Sequence, residues 1–180
     1  MRARVRQAVF FDRDGTLIRD EGYLCDPGGV VPLPGAGGAL RRLRAAGYLL
    51  FLFTNQSGIG RGRFPAEAAE ACNREAERRL GLAPGFDGVC IAPEAPGDPP
   101  VYRKPSPRFI LETVRGRNLD PARSWMVGDK ESDVEAGLRA GVRAARILPY
   151  RAGETSGAVP VFPDVGAFAD WLLAPVFEAG

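Results

Sequence analysis

The chain has 180 residues, of which 26% are charged, and its formal net charge is +2. Its arginines are spread along the chain, so the charge pattern calls for neither a nucleic-acid nor a membrane partner. No apolar stretch has the length of a membrane span, and the first residues lack the apolar run of a secretory signal. The three cysteines are few and scattered, so we expect a cytoplasmic protein without a disulfide framework. Because histidine is absent, any chemistry must use carboxylates, Lys, Arg, hydroxyls or thiols.

Apolar runs alternate with segments of helical period along the chain. In order, the sequence predicts strand 5–11, helix 35–47, strand 48–53, helix 65–80, strand 86–92, helix 107–117, strand 124–127, helix 131–140, strand 142–148 and helix 165–173. This alternation is typical of a Rossmann-like α/β fold, a doubly wound parallel sheet between two layers of helices. We expect one domain over residues 1–180. The irregular segments 19–34 and 93–106 should flank its ligand-binding edge.

The first predicted strand ends in two carboxylates. The apolar run 9–11 is followed by Asp12, Arg13, Asp14, Gly15 and Thr16. Two carboxylates spaced i, i+2 at the carboxyl end of a strand suit a divalent cation or a pair of catalytic roles. The alternative is an ordinary strand-to-turn junction, because Asp and Gly are common turn residues.

Three further polar motifs lie near the ends of predicted strands. They are Thr54-Asn55-Gln56-Ser57, Arg103-Lys104-Pro105, and Gly128-Asp129-Lys130 with Asp133. The first offers phosphate donors, the second positive charge and the third carboxylates for a metal ion. Taken singly, they could be a polar turn, a solvated basic pair and a helix cap. The carboxyl ends of parallel strands meet at one edge of a sheet, so the predicted fold would bring all four motifs together.

In this order the motifs resemble those of the haloacid dehalogenase superfamily of phosphotransferases. Together with Asp20-Glu21-Gly22-Tyr23 and the glycine-rich segment 58–62, they are similar to the D-glycero-D-manno-heptose-1,7-bisphosphate 7-phosphatases. The histidinol-phosphate phosphatases share most of these features. The similarity covers about residues 8 to 150, and no large insert interrupts it. The resemblance therefore implies a minimal cap formed by loops.

The resemblance also implies roles for the motif residues. Asp12 would be the nucleophile and Asp14 the proton carrier, with Lys104 neutralising charge on the nucleophile and the phosphate. Mg²⁺ would bind Asp12, Asp129 and the backbone carbonyl of Asp14, supported from behind by Asp133. Substrate contacts are expected at Asp20, Glu21, Gly22, Tyr23, Thr54, Asn55, Gln56, Ser57, Arg103, Lys104 and Lys130.

The expected partner is a small phosphorylated metabolite, most simply a sugar bisphosphate, and the expected oligomeric state is a monomer. Three other functions remain open on the sequence. These are a histidinol-phosphate phosphatase, a phosphatase of broad sugar-phosphate range, and a phosphate-binding module without catalysis.

The chain departs from the family at a zinc loop. Heptose phosphatases commonly carry Cys-x-His followed by Cys-x-Cys before the Arg-Lys-Pro motif. Here Cys90 matches the first ligand, but Ala92, Pro100 and Tyr102 occupy the other ligand positions. One thiol cannot make a four-ligand structural site, so zinc is not expected. We expect Cys90 to be a small core residue and the proline-rich loop 93–100 to be ordered without the metal.

Overall fold

The computed structural model describes residues 6–148 and 159–175. Its six strands form one parallel sheet in the order β3-β2-β1-β4-β5-β6. The strands are β1 Gln7–Phe11, β2 Tyr48–Asn55, β3 Gly88–Ala92, β4 Trp125–Gly128, β5 Arg143–Ile147 and β6 Val161–Phe162. The helices are α1 Ala36–Ala45, α2 Ser57–Gly60, α3 Ala66–Leu80, α4 Arg108–Arg117, α5 Glu131–Arg139 and α6 Val165–Leu173. The predicted α/β fold is confirmed.

Successive residues of the buried strands serve two separate cores. In β1, Val9 and Phe11 pack in the core formed with α1, α3 and α6. Ala8 and Phe10 lie in the other core, which includes residues of α4 and α5. Because successive side chains of a strand point to opposite faces, a strand covered on both sides reads as a continuous apolar run. This is why the strands were visible in the sequence.

The predicted element boundaries are close to the observed ones. Helix α3 follows Pro65 and ends at Gly81, whose left-handed backbone suits a glycine. The predicted strand 86–92 begins two residues later, at Gly88. Residue 5 of the predicted strand 5–11 lies outside the described residues, and β1 begins at Gln7.

Of the strands and α-helices given above, two short ones were missed, α2 and β6. Helix α2 has four residues, two of them glycine, and β6 has two residues. Neither is long enough to show a hydrophobic period. No helix in the described part of the chain is long and apolar enough to span a membrane.

The strand register places the polar motifs side by side. Phe11 of β1 is aligned with Leu52 of β2 and with Val127 of β4. Asp12 therefore leaves β1 between the ends of these two neighbouring strands. The motif that begins at Thr54 closes β2, and Asp129 follows β4 directly.

Candidate active site

A buried lysine joins two carboxylates at the carboxyl end of β1. Asp12 is 4% exposed, and its backbone N–H donates to the carbonyl of Val127. The Nζ of Lys104 lies 2.6 Å from Asp12 Oδ1 and 2.6 Å from Asp133 Oδ1, and it also donates to the Phe53 carbonyl. Lys104 is 3% exposed. Burial lowers its pKa, but the two carboxylates raise it more, so the pKa lies above its usual value and the ammonium stays charged.

The backbone of Lys104 is fixed by the end of β2. The side-chain oxygen of Asn55 accepts from the Lys104 N–H at 2.9 Å, and its Nδ2 donates to the Lys104 carbonyl at 3.2 Å. The predicted phosphoryl-binding residue Asn55 therefore uses its amide to hold the predicted catalytic lysine. This pairing ties the loop before α4 to the central sheet.

Three carboxylates form the candidate metal centre. Ligand oxygens of Asp12, Asp129 and Asp133 all lie within 4.8 Å of one another, the one such group within residues 6–148 and 159–175. Burial, followed by the charge of Asp12, raises the pKa of Asp129 to about 7. Gly15 leaves space beside this group, because a Cβ there would lie 2.6 Å from Asp129 Oδ2. Such a set of clustered oxygen ligands fits a hard divalent cation such as Mg²⁺.

Asp133 is also bound on its other side. Its Oδ2 accepts from the backbone N–H of Lys130 at 2.9 Å, at the start of α5. Oδ2 thus has a donor within the protein and Oδ1 an ion pair with Lys104, which suits a supporting role more than direct metal ligation.

Asp14 lies apart from the three-carboxylate group. Its Oδ2 accepts from Gln56 Nε2 at 2.8 Å and lies 3.0 Å from Nη2 of Arg13. Burial raises the pKa of Asp14, against the opposing charge of Arg13. The amide of Gln56 also donates to Thr54 Oγ1 at 2.8 Å. Gln56 was predicted to bind substrate, and its Nε2 instead contacts two residues of the protein.

The predicted substrate-binding residues of segment 20–23 lie at the rim. Lys130 Nζ is 3.3 Å from Asp20 Oδ2, so these two predicted contacts are paired with each other. The N–H of Gly22 donates to Asp20 Oδ1, and Glu21 forms an exposed ion pair with Arg19.

Tyr23 connects this segment to the region after β2. The residue is 40% exposed, and the guanidinium of Arg63 lies 4.0 Å from the centre of its ring. A Cβ on Gly58 of α2 would meet the ring at 2.9 Å. The ring therefore lies close to the helix that begins at Ser57, another predicted contact.

The loop before Lys104 is organised by Glu94. One carboxylate oxygen of Glu94 accepts from the backbone N–H groups of Val101, Tyr102 and Arg103, at 3.0, 2.6 and 3.3 Å. Burial acts to raise the pKa of Glu94, but the hydrogen bonds together lower it by more. The pKa of Glu94 therefore lies below its usual value. The guanidinium of Arg103, a predicted substrate contact, donates to the Glu94 carbonyl. Cys90, in β3, is buried in the core as predicted, and burial raises its pKa to about 12.

Sequence reasoning gave no role to three residues that support the site: Arg13, Asn73 and Glu94. Arg13 is 1% exposed and its Nη1 donates to Asn73 Oδ1 at 2.8 Å. One signal was available in the sequence, because Asn73 interrupts the apolar face of α3. The contacts themselves join residues far apart in the chain, and no local pattern reveals them.

A cavity of about 500 Å³ adjoins the candidate centre. Gly15, Thr16 and Asp129 lie on its wall together with Arg19 and Asp20, and the remainder of the wall is largely apolar. The volume is in the range of small-molecule sites.

Residues 22–141 match the family model described as haloacid dehalogenase-like hydrolase. A D-glycero-beta-D-manno-heptose-1,7-bisphosphate 7-phosphatase of Haemophilus ducreyi is 38% identical over 146 residues, which cover 77% of this chain and 80% of the relative. The enzyme of the same name from Helicobacter pylori strain J99 is 33% identical over 168 residues, covering 92% and 97% of the two chains.

A solved structure is similar over nearly the whole chain. It is the D,D-heptose 1,7-bisphosphate phosphatase of B. bronchiseptica complexed with magnesium and phosphate. The TM-score is 0.83 at 29% identity, with 93% of this chain and 98% of that chain covered.

Proposed function

The chain belongs to the haloacid dehalogenase-like hydrolases and is a phosphatase, and we propose that it removes the 7-phosphate of D-glycero-D-manno-heptose-1,7-bisphosphate through a covalent intermediate on Asp12. The observation that carries the mechanism is the buried Lys104 ammonium between Asp12 and Asp133. The names and coverage of the relatives support the substrate. Such a site can bring an anionic nucleophile and an anionic ester together.

The reaction we propose has two displacements at phosphorus. In the first, a carboxylate oxygen of Asp12 bonds to phosphorus while the bond to the sugar oxygen breaks, and Asp14 gives its proton to that oxygen. In the second, water attacks the aspartyl-phosphate and loses a proton to Asp14. The bond from Asp12 to phosphorus then breaks, phosphate leaves, and both carboxyl groups return to their starting states.

Lys104 stabilises charge in both steps. Its Nζ is 2.6 Å from the Asp12 oxygen, so the ammonium lies beside the point where negative charge gathers. Asp133 and the Phe53 carbonyl fix the position of the ammonium. A fixed charge in a buried site needs no reorganisation during the reaction.

Asp12, Asp129 and the backbone carbonyl of Asp14 would hold Mg²⁺. When bound, the cation withdraws charge from the phosphoryl oxygens and offsets the crowded carboxylates. Asp133 would support this set through its contacts with Lys104 and the Lys130 backbone.

Thr54 and Asn55 would lie at the transferring phosphoryl group. The Thr54 hydroxyl accepts from Gln56, which leaves its hydrogen free to donate to a phosphoryl oxygen. Asn55 contributes mainly by holding the Lys104 backbone. Segment 20–23, Ser57, Arg103 and Lys130 would contact the sugar and its second phosphate, for which cations at the rim are suited.

Magnesium-dependent release of phosphate tests the proposal. The purified protein should release phosphate from the heptose bisphosphate with a kcat/KM at least about tenfold above that for histidinol phosphate or a simple sugar monophosphate. A preference for histidinol phosphate, or equal rates on all three, would overturn the substrate assignment. No release from any of them would overturn catalysis itself.

The covalent route has its own test. Asp12→Asn should abolish turnover and leave the melting temperature near that of the wild type, because Asp133 still pairs with Lys104 and the loss of the Asp12 charge relieves its repulsion of Asp129. Asp170→Asn is the matched control, since Asp170 is exposed and pairs with Arg42 on the surface. Substantial residual turnover by Asp12→Asn would rule out the aspartyl-phosphate.

A further inference from the structure

A chain of contacts leads from helix α3 to the proton carrier. Arg13 lies between Asp12 and Asp14 in sequence, and its side chain is buried. Its Nε is 3.1 Å from Asp14 Oδ1, and its Nη2 is 3.0 Å from Asp14 Oδ2. Its remaining nitrogen, Nη1, donates to Asn73 Oδ1 at 2.8 Å. The planar guanidinium is therefore held at one end by Asn73 and holds Asp14 at the other.

Asn73 has no evident packing reason to be where it is. It is 5% exposed, and the other buried residues of α3 are Ala69, Cys72, Ala76 and Leu80. Its Nδ2 is buried and has no hydrogen-bond partner in the described part of the chain. An unpaired buried donor is unfavourable, so an apolar residue would suit this face of the helix better. What the side chain provides is its hydrogen bond to Arg13.

The two oxygens of Asp14 are held unequally. Oδ2 accepts from Gln56 Nε2 at 2.8 Å and from Arg13 Nε at 3.2 Å, whereas Oδ1 accepts from Arg13 Nε alone, at 3.1 Å, among the described residues. A protonated oxygen cannot face several donors, so the proton belongs on the oxygen with fewer of them, Oδ1.

We propose that Asn73 is a positioning residue, which anchors Arg13 so that Asp14 keeps Oδ2 bound and presents Oδ1 for proton transfer. The inference rests on the proposed role of Asp14 as proton carrier. Asn73 touches neither substrate nor the reacting atoms in this arrangement and acts through Arg13. Without it, the guanidinium loses the contact that fixes its rotation, and the carboxyl group of Asp14 loses its fixed direction.

The test compares leaving groups that do and do not need a proton. The heptose bisphosphate has an alkoxide leaving group, which requires protonation, whereas p-nitrophenyl phosphate has a stable one. Asn73→Leu removes the acceptor, and Asn73→Asp keeps an oxygen within reach of Arg13. Rates of the first step are measured in single turnovers with enzyme in excess.

Asn73→Leu should slow the first step on the sugar phosphate by about tenfold or more, with substrate affinity unchanged and the rate on p-nitrophenyl phosphate within about threefold. Asn73→Asp should restore the sugar phosphate rate to within about threefold of the wild type. The proposal is overturned if Asn73→Leu slows both substrates equally or neither, or if Asn73→Asp is as slow as Asn73→Leu.

Two controls separate this result from other causes. The quantity compared is the ratio of the rate on the sugar phosphate to the rate on p-nitrophenyl phosphate. Leu80→Ala weakens the packing of α3 at a site away from Asn73, and it should leave this ratio unchanged. A fall in the ratio would mean that helix packing alone explains the effect. Asp14→Asn should lower the ratio more than Asn73→Leu does. An unchanged ratio in Asp14→Asn would overturn the role of Asp14 as proton carrier. A lower ratio in Asp14→Asn together with an unchanged ratio in Asn73→Leu would overturn only the positioning role of Asn73.

Discussion

One oxygen of Glu94 fixes the direction in which the Arg103-Lys104 segment enters the site. Three consecutive backbone N–H groups, from Val101 to Arg103, converge on it. Lys104, the next residue, is fixed in turn by Asn55. The carboxylate thus holds loop 93–100 against the segment that leads to Lys104. That loop 93–100 is ordered without zinc stays a prediction, and the contacts of Glu94 add a second support to the prolines on which it was based.

Glu94→Gln should destabilise the protein by about 1–2 kcal/mol, because the neutral amide oxygen accepts these hydrogen bonds more weakly than a carboxylate does. Urea unfolding measures the change. Glu70→Gln is a matched control, since Glu70 pairs with Arg74 on the exposed face of α3, and it should stay within about 0.5 kcal/mol of the wild type. Equal effects of the two substitutions would contradict the anchoring role.

At the site, the sequence predicted residues better than contacts. The convergence of Asp12, Asp129 and Lys104 followed from strand ends meeting at one edge of a parallel sheet. The separate environment of Asp14 was not predicted, because it depends on Arg13 and on a residue of α3. Such pairings depend on how two elements pack and leave no trace in local spacing.

Helix α1 approaches the end of α3 closely enough to require a glycine. A Cβ on Gly37 would lie 2.2 Å from the backbone carbonyl oxygen of Leu80, whereas a Cβ on Gly38 would meet nothing within 4 Å. The hydrophobic period predicted both helices but not this contact, which depends on the distance between their backbones. A side chain at Gly37 would therefore force the two helices apart, whereas a side chain at the adjacent Gly38 would not.

Gly37→Ala should destabilise the protein by about 1–3 kcal/mol, since the backbone of α3 must move away. Gly38→Ala should stabilise it by about 0.5–1 kcal/mol, because alanine loses less conformational entropy in a helix. Denaturant midpoints of the two variants against the wild type test both signs. Stabilisation by Gly37→Ala would show that the two helices are not held at the distance described.

At the scale of the whole molecule, the buried carboxyl groups of the site make the folded state less stable as pH rises. Burial raises the pKa of Asp14, Asp129 and Asp133, and that of Asp129 reaches about 7 from 3.8. A carboxyl group of raised pKa keeps its proton in the folded chain after the unfolded chain has released it. The contribution of Asp129 to stability is therefore lost as pH rises from 3.8 towards 7, and those of Asp14 and Asp133 are lost in the same direction.

Removal of magnesium should expose this effect. In a chelator, the difference in melting temperature between Asp129→Asn and the wild type should grow in favour of the variant between about pH 5 and pH 7.5. Added Mg²⁺ should stabilise the wild type more at the higher pH, because protons no longer compete for the carboxylates. Differential scanning fluorimetry measures both trends. A magnesium effect that is the same at both pH values would contradict the raised pKa of the buried carboxyl groups.

The strand order has a consequence for how the protein is made. β1, which leaves the ribosome before β2 and β4, pairs with β2 on one side and with β4 on the other. A nascent chain that has not yet reached Trp125 therefore carries an open, apolar edge on what becomes the centre of the sheet, a surface prone to association with other chains. Ribosome-bound chains stalled before and after β4 should differ sharply in protease resistance along β1. The candidate metal ligand Asp129 directly follows β4, so it is synthesised just after the strand that covers this edge of β1.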